Sequence, residues 1–470
     1  MEPYGQPEGG AVSLGEASLR TRATRRETHI GRLRRWPIGA AAWSLLWIVA
    51  TLAVFRYSAI AAASMAGLFF ALQAASLWPT LFMIAIFAAM PYQQSVVGGF
   101  ANVNVSVSDL VAGVLALALP SITMRKGRFL AGPALMPLLF FLLIATIGTL
   151  VNWQGWSSLV SLSRMAVVTL GALLIFANAE TRLKTLYRCV DAYLLAASIL
   201  AVIALFTFLG SGIKASMYTL GLHKNHLGPV FGCGIVMSLG IILTSHHSRA
   251  RRIWLLGNCA LSALGILLSL SRGGWFATSA GVLLLLYLTR NIRAFAAVLA
   301  VSVPVLAILW MTLPEESREY ATEVTGRAKT VQTRIASIEE VLEIYRQSPL
   351  IGSGVGLRKS IEPHNVLVLT LGESGLLGLG GFLAMVWGGI TTFRRALRRC
   401  VDEQRKTLLI VGLAVFVLTL CHGLMDVYWR RGVGFLGWAF VGMAAAFLHQ
   451  SRSRPVGRDI SGKLAPQVGP

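Results

Sequence analysis

Of the chain's 470 residues, 55% are hydrophobic and only 13% are charged, giving a mean hydropathy of +0.67. A water-soluble chain of this length needs far more charge to cover its surface, which excludes that class. The formal charge of +22 fits a nucleic-acid partner only if the basic residues share a face, and instead they fall in short clusters between apolar runs.

Those runs are about 17–22 residues long, the length that carries a helix across a bilayer. Residues 1–36 are polar and Arg-rich, too long and too charged for the start of a signal peptide, and are expected to form a disordered cytoplasmic tail. The first part of the bundle, 37–312, opens with a span near Pro37–Phe55. Tyr57–Met90 holds two short helices that break near Ser76-Leu77-Trp78-Pro79. A polar loop, Pro91–Ser108, follows, and Asp109 opens a span that ends at Met124-Arg125-Lys126. Further spans are expected near 130–151, 159–178, 189–210, 226–244, 253–270, 274–289 and 294–312. A polar interval, 313–363, precedes the last part, 364–450, with spans near 365–391, 407–425 and 432–449. Residues 451–470 form a second cytoplasmic tail. The expected fold is all-α: a polytopic membrane helix bundle of about 12–14 transmembrane helices, with a periplasmic helical cap inserted between two late spans.

Charge orients this bundle. With the N-terminus inside, roughly two thirds of the 42 Lys and Arg fall on the cytoplasmic side, and the short loops obey the positive-inside rule throughout. The basic excess is therefore a topology signal and an attraction to anionic lipid, with no nucleic-acid role. The five cysteines (Cys189, Cys233, Cys259, Cys400, Cys421) show no CxxC spacing and read as packing residues.

Within the interval, Arg327–Gln347 places Val331, Ile335, Ile338, Leu342 and Tyr345 along one stripe of an amphipathic helix. Ser348-Pro349 stops it, and Gly352, Gly354 and Gly356 give a flexible turn. This GxGxG follows no strand and lies on the outer side, so it reads as a turn with no nucleotide.

Polar groups at the outer ends of spans are costly in hydrocarbon and mark the chemistry. Arg272, in Ser271-Arg272-Gly273-Gly274, sits in a turn too short to leave the interface. Its guanidinium either anchors the helix there or forks onto phosphate oxygens, with the next helix start adding an anion-binding dipole. In His223-Lys224-Asn225-His226, Lys224 and the amide of Asn225 also suit phosphate. The two histidines lack a neighbouring carboxylate and make a weak metal set. His364-Asn365 lies at the cap–membrane junction, where the imidazole suits a general base. Glu373, nine residues on, is two and a half turns away and does not share its face. Asp426, Tyr428, Arg430 and Arg431 form a short outer loop that Arg164 can join, structural ion pairing being the default.

Taken in order, the motifs resemble the O-antigen ligase/polymerase family of bacterial membrane glycosyltransferases. The resemblance rests on Leu-Ser-Arg-Gly-Gly-Trp at 270–275, His-Lys-Asn-His-Leu-Gly at 223–228 and Ser-Pro-Leu-Ile-Gly-Ser-Gly-Val-Gly at 348–356. It continues through Pro-His-Asn at 363–365, Gly-Glu-Ser-Gly-Leu-Leu-Gly at 372–378 and Asp-Val-Tyr at 426–428, covering roughly residues 90–450. It implies an undecaprenyl-diphosphate-linked glycan donor at the periplasmic face of the inner membrane and transfer of that glycan to an acceptor hydroxyl. The acceptor is lipid A-core in ligases, a second lipid-linked glycan in polymerases, and a protein hydroxyl in O-oligosaccharyltransferases. No cofactor and no metal are implied.

The resemblance assigns His364 as catalytic base, with Glu373 in support, and Arg272 to the diphosphate. Lys224, Lys214 and Arg164 compete for the second basic position. Asn225, Asn365 and Asp426 complete the expected substrate site. A lipid-linked oligosaccharide transporter is the rival from another class, but the chain has neither repeated halves nor charges at mid-membrane.

Overall fold

The computed structural model describes residues 47–51, 59–92, 95–97, 105–245, 247–291, 328–357, 361, 363–426 and 432–452, with isolated positions between 293 and 318. Most of the expected spans at 37–55 and 294–312 lies outside the described residues, as do both tails, Tyr428, Arg430, Arg431 and the side chain of Lys214. The chain divides into two units, 1–71 and 72–470. In the first, the Trp47 and Phe69 rings lie 6.0 Å apart. The rest of the description concerns the second.

The fold is all-α apart from a short antiparallel ribbon. The elements are α1 (Ala59–Leu77), α2 (Pro79–Ala89), β1 (Ser95–Val97), β2 (Val105–Ser106), α3 (Val107–Lys126) and α4 (Leu135–Val151). Next come α5 (Trp156–Asn178), α6 (Leu183–Gly212), α7 (Lys224–Thr244), α8 (Arg249–Ser269) and α9 (Arg272–Thr289). The chain closes with α10 (Ala328–Gln347), α11 (Val366–Arg399), α12 (Glu403–Gly423) and α13 (Val433–Arg452). Among the described residues, eight helices are long and apolar enough to cross a membrane, and nine if the bent pair α1–α2 counts as one span. The protein is a multi-pass membrane protein.

Each break has a local cause. The α1–α2 bend of 106° falls at Trp78, just before Pro79, because a residue preceding proline is pushed out of the helical region. α3 starts in a reciprocal cap: Asp109 N–H donates to Ser106 Oγ at 3.3 Å, and Ser106 N–H donates to Asp109 Oδ2 at 3.1 Å. It ends at Gly127, in the left-handed region with φ 60°, which costs glycine nothing.

α7, α12 and α13 are enclosed on almost every side, whereas α3 and α6 keep outward apolar faces such as Leu195, Ile199 and Phe206. Apolar exposure carries no penalty against lipid, so close packing holds the centre together. Phe416, Trp438 and Phe440 fill it, and Gly412 admits the Phe440 ring where a Cβ would come within 2.7 Å.

The two ends of the bundle differ. At one end Lys126 Nζ donates to the carbonyls of Asn178 and Ala179, Arg251 pairs with Asp191 at 2.6 Å, and Tyr187 Oη donates to Gln404 O. The basic clusters at 125–128, 182–188, 249–252 and 398–406 gather there, and Arg125, Lys126, Arg398 and Arg399 close helix C-termini whose partial negative charge favours them. The opposite end carries the expected chemistry.

The helix expected over 327–347 is present, but its packed stripe differs. Val331 and Ile335 are exposed, and the fully buried residue is Val341. Contact with α11 sets this rotation, since Gly372 leaves room for the Val341 side chain.

Candidate functional site

Four helix ends build the site. α9 begins immediately after α8 because Leu270 turns left-handed (φ 47°) and Ser271 caps the new helix, its Oγ accepting from Gly274 N–H at 3.2 Å. This puts Arg272, exposed, in the first turn. α7 is capped by His223, whose Nδ1 accepts from Asn225 N–H at 3.3 Å, and opens with Lys224. The two starts touch: a Cβ on Gly228 would stand 2.6 Å from Ser271 Cβ. Lys224 and Arg272 therefore lie on adjoining helix starts.

α11 is capped by Asn365, whose Oδ1 accepts from the N–H groups of Leu367 and Val368 at 2.9 and 3.2 Å. The Asn365 Nδ2 donates to Leu424 O at 3.3 Å, tying this cap to the end of α12. His364 stands one residue earlier with φ 51°, a conformation that costs a non-glycine residue about 1 kcal/mol or more and is typical of functional positions. Its Nδ1 lies 3.4 Å from Asp426 Oδ1, with His364 26% exposed and Asp426 4%. The structure thus brings His364, Asn365 and Asp426 together.

His422, in the last turn of α12, was not singled out from the sequence. It is buried, its imidazole hydrogen-bonds the backbone of Asn225, and the Asp426 carboxylate acts on it electrostatically. A Cβ on Gly273 would stand 3.9 Å from His422 Cδ2. His422 therefore joins the His364–Asp426 pair to both basic helix starts. The signal available in the sequence was the i, i+4 spacing of His422 and Asp426, which puts both on one helix face.

Glu373 has a different surrounding. α11 breaks at Gly375 (φ 64°, ψ −166°), and residues 349–354 thread into the gap. Leu376 N–H donates to Pro349 O at 2.9 Å and Leu377 N–H to Leu350 O at 3.1 Å, while Ser353 and Gly354 donate to the carbonyls of Gly372 and Glu373. Glu373 Oε1 accepts from Gly356 N–H at 2.8 Å. Val355 N–H and the carbonyl of Gly352 bond Thr149 and Asn152 at the end of α4. The glycine turn expected to be flexible is thus pinned, with Gly352, Gly354 and Gly356 all at positive φ.

Arg164 pairs with Asp109 at 3.0 Å, both side chains about 90% buried. Asp426 pairs instead with His364. A π-helical turn, Val167–Gly171, follows Arg164, an irregularity frequent near functional sites. Among the described residues no group of three His, Cys, Asp or Glu is placed to hold a metal ion.

Residues 257–383 match the family model described as O-antigen ligase. That segment is similar to the O-antigen ligase family. No curated protein matches the chain. The family expected from the ordered motifs is the one whose model matches this segment. The matched segment contains Arg272, His364, Asn365 and Glu373. Lys224, Asn225, His422 and Asp426 reach the site from helices outside the matched segment.

Proposed function

We propose that this protein transfers a glycan from an undecaprenyl-diphosphate carrier to an acceptor hydroxyl, lipid A-core in a ligase, at the periplasmic rim of the bacterial inner membrane. The His364–Asp426 pair, joined to two helix starts that carry Lys224 and Arg272, is the observation that supports this reading most. A cation at a helix N-terminus is opposed by the helix dipole. Two such cations on adjoining starts are reconciled by an anion bound between them, and a diphosphate supplies that charge.

The step is a single displacement without metal or cofactor. Asp426 holds the Nδ1–H of His364 and leaves Nε2 to take the proton from the acceptor hydroxyl. As that oxygen bonds to the anomeric carbon, the bond from this carbon to the diphosphate oxygen breaks. The electron pair leaves with the lipid diphosphate, and the configuration inverts. Arg272 and Lys224 stabilise the departing charge, a class of contact that contributes about 3 kcal/mol in a water-poor site. Asn225 and Asn365 frame the site, Glu373 positions the glycine turn leading to His364, and Arg164 with Asp109 braces α3 against α5. The basic end of the bundle faces the cytoplasm with both tails, which leaves 313–363 as the periplasmic cap.

The test is complementation of a deletion strain with His364→Ala or Asp426→Asn, followed by glycan profiling. Loss of a general base lowers transfer by about 10²–10⁴-fold, so intact polymer should accumulate on the carrier and vanish from lipid A-core. Wild-type transfer by His364→Ala overturns the base assignment. Unextended single repeat units in the deletion strain assign the chain as a polymerase.

A further inference from the structure

From the placement of His422 we infer that it is a positioning residue that couples the base pair to the diphosphate cradle, a role that rests on the transfer reading above. His422 is 7% exposed and lies at the end of α12 beside the starts of α7 and α9. Its carbonyl accepts the N–H groups of Met425 and Asp426 at 2.9 and 3.0 Å, which fixes the turn that presents the Asp426 carboxylate. Its imidazole feels that carboxylate electrostatically and hydrogen-bonds the backbone of Asn225, beside Lys224. Gly273, beside Arg272, lies close to the ring: a Cβ there would stand 3.9 Å from His422 Cδ2. Asp426 in turn holds His364 Nδ1.

A buried imidazole hydrogen-bonded to the Asn225 backbone, with the Asp426 carboxylate acting on it electrostatically, fixes its neighbours only while both interactions persist, because an unmet buried polar group costs about 1–3 kcal/mol. Removing it therefore loosens two things at once. The starts of α7 and α9 lose their common wall, which weakens the anion cradle. Asp426 loses a neighbour that fixes its rotamer, which misaligns His364. A residue that merely filled space would be replaceable by another ring of similar size.

The experiment uses the full chain purified in detergent, with undecaprenyl diphosphate as the binding probe. Transfer is measured with lipid-linked donor extracted from producing membranes. His422→Phe keeps ring and burial but has no polar atom. It is expected to weaken the dissociation constant for undecaprenyl diphosphate about tenfold, one hydrogen bond's worth on the Asn225 arm, and to lower the transfer rate at saturating donor about tenfold as the Asp426 carboxylate loses its polar neighbour. His422→Gln keeps a donor for the Asn225 backbone but no imidazole against Asp426. It is expected to bind the probe within about threefold of wild type while transferring at least fivefold more slowly.

Wild-type affinity and rate in His422→Phe overturn the inference, as does a His422→Gln variant that loses affinity and rate alike. Should His422→Phe fail to fold, His422→Gln alone decides, since an unchanged rate there is equally fatal. His364→Ala, run beside them, separates the two claims. If it transfers normally the transfer reading fails, whereas if it is inactive and both His422 variants behave as wild type only the coupling role fails.

Discussion

Gly375→Ala tests how residues 349–354 are joined to α11. At φ 64° and ψ −166° the residue sits in a region open in practice to glycine alone. A Cβ there would lie 2.4 Å from the carbonyl carbon and oxygen of Leu350 and 2.6 Å from Ile351 N. These are backbone atoms, so no side-chain rotation relieves the overlap. Either α11 keeps its break under strain of about 1–3 kcal/mol plus the overlap, or residues 349–354 withdraw. Withdrawal loses the hydrogen bonds of Leu376, Leu377, Ser353 and Gly354, at about 1 kcal/mol each. Both routes come to about 4 kcal/mol, a large share of the roughly 5–15 kcal/mol that holds a native protein together.

The assay is thermal unfolding of the detergent-purified variant together with transfer in membranes, with Gly380→Ala as control. Gly380 lies in the same helix, is exposed and has no atom within 4 Å of a built Cβ, so alanine there gains about 0.5–1 kcal/mol of helix propensity. We expect Gly375→Ala to melt about 5–10 °C lower with transfer strongly reduced. A melting point within about a degree of wild type, with normal transfer, would show that the inserted loop does not hold the break.

Gly228→Ala pushes a methyl to 2.6 Å from Ser271 and separates the starts of α7 and α9. The affinity for undecaprenyl diphosphate should fall about five- to tenfold, measured by titration with the lipid; unchanged affinity refutes a shared cradle. Orientation is tested by single cysteines in a cysteine-free background. Leu350→Cys should react with an impermeant maleimide added outside spheroplasts, and Val401→Cys, fully exposed at the basic end, only after lysis. The reverse pattern inverts the topology. Native Cys400, in the turn beside Val401, has its thiol pKa raised by burial, so it holds less thiolate at neutral pH than a free cysteine. Its alkylation should be slow at pH 7 and quicken as the pH rises; a rate equal to that of Val401→Cys at pH 7 contradicts the burial.

The helices were legible because the bilayer imposes one rule on every span: an apolar run long enough to cross, stopped by charge, glycine or proline. The break at Trp78-Pro79 and the end of α10 at Gln347 follow from such local signals, whereas α9 starts at Arg272, two residues before the expected span. The motif order also named the family, and single residues such as Arg272 and His364 were visible as polar groups at apolar span ends. Partnership was not visible. Arg164 pairs with Asp109, Glu373 receives the Gly356 N–H, and His422 enters the site. Each of these contacts joins residues from separate elements or across a loop, and linear spacing carries no record of which helix ends will meet. Periodicity placed the stripe of α10 without knowing that Gly372 would open a slot for Val341. Sequence determined what each segment is, because hydrophobicity and turn chemistry act within a few residues. Only the tertiary structure decided which polar groups face one another, because that depends on the packing of helices distant in the chain.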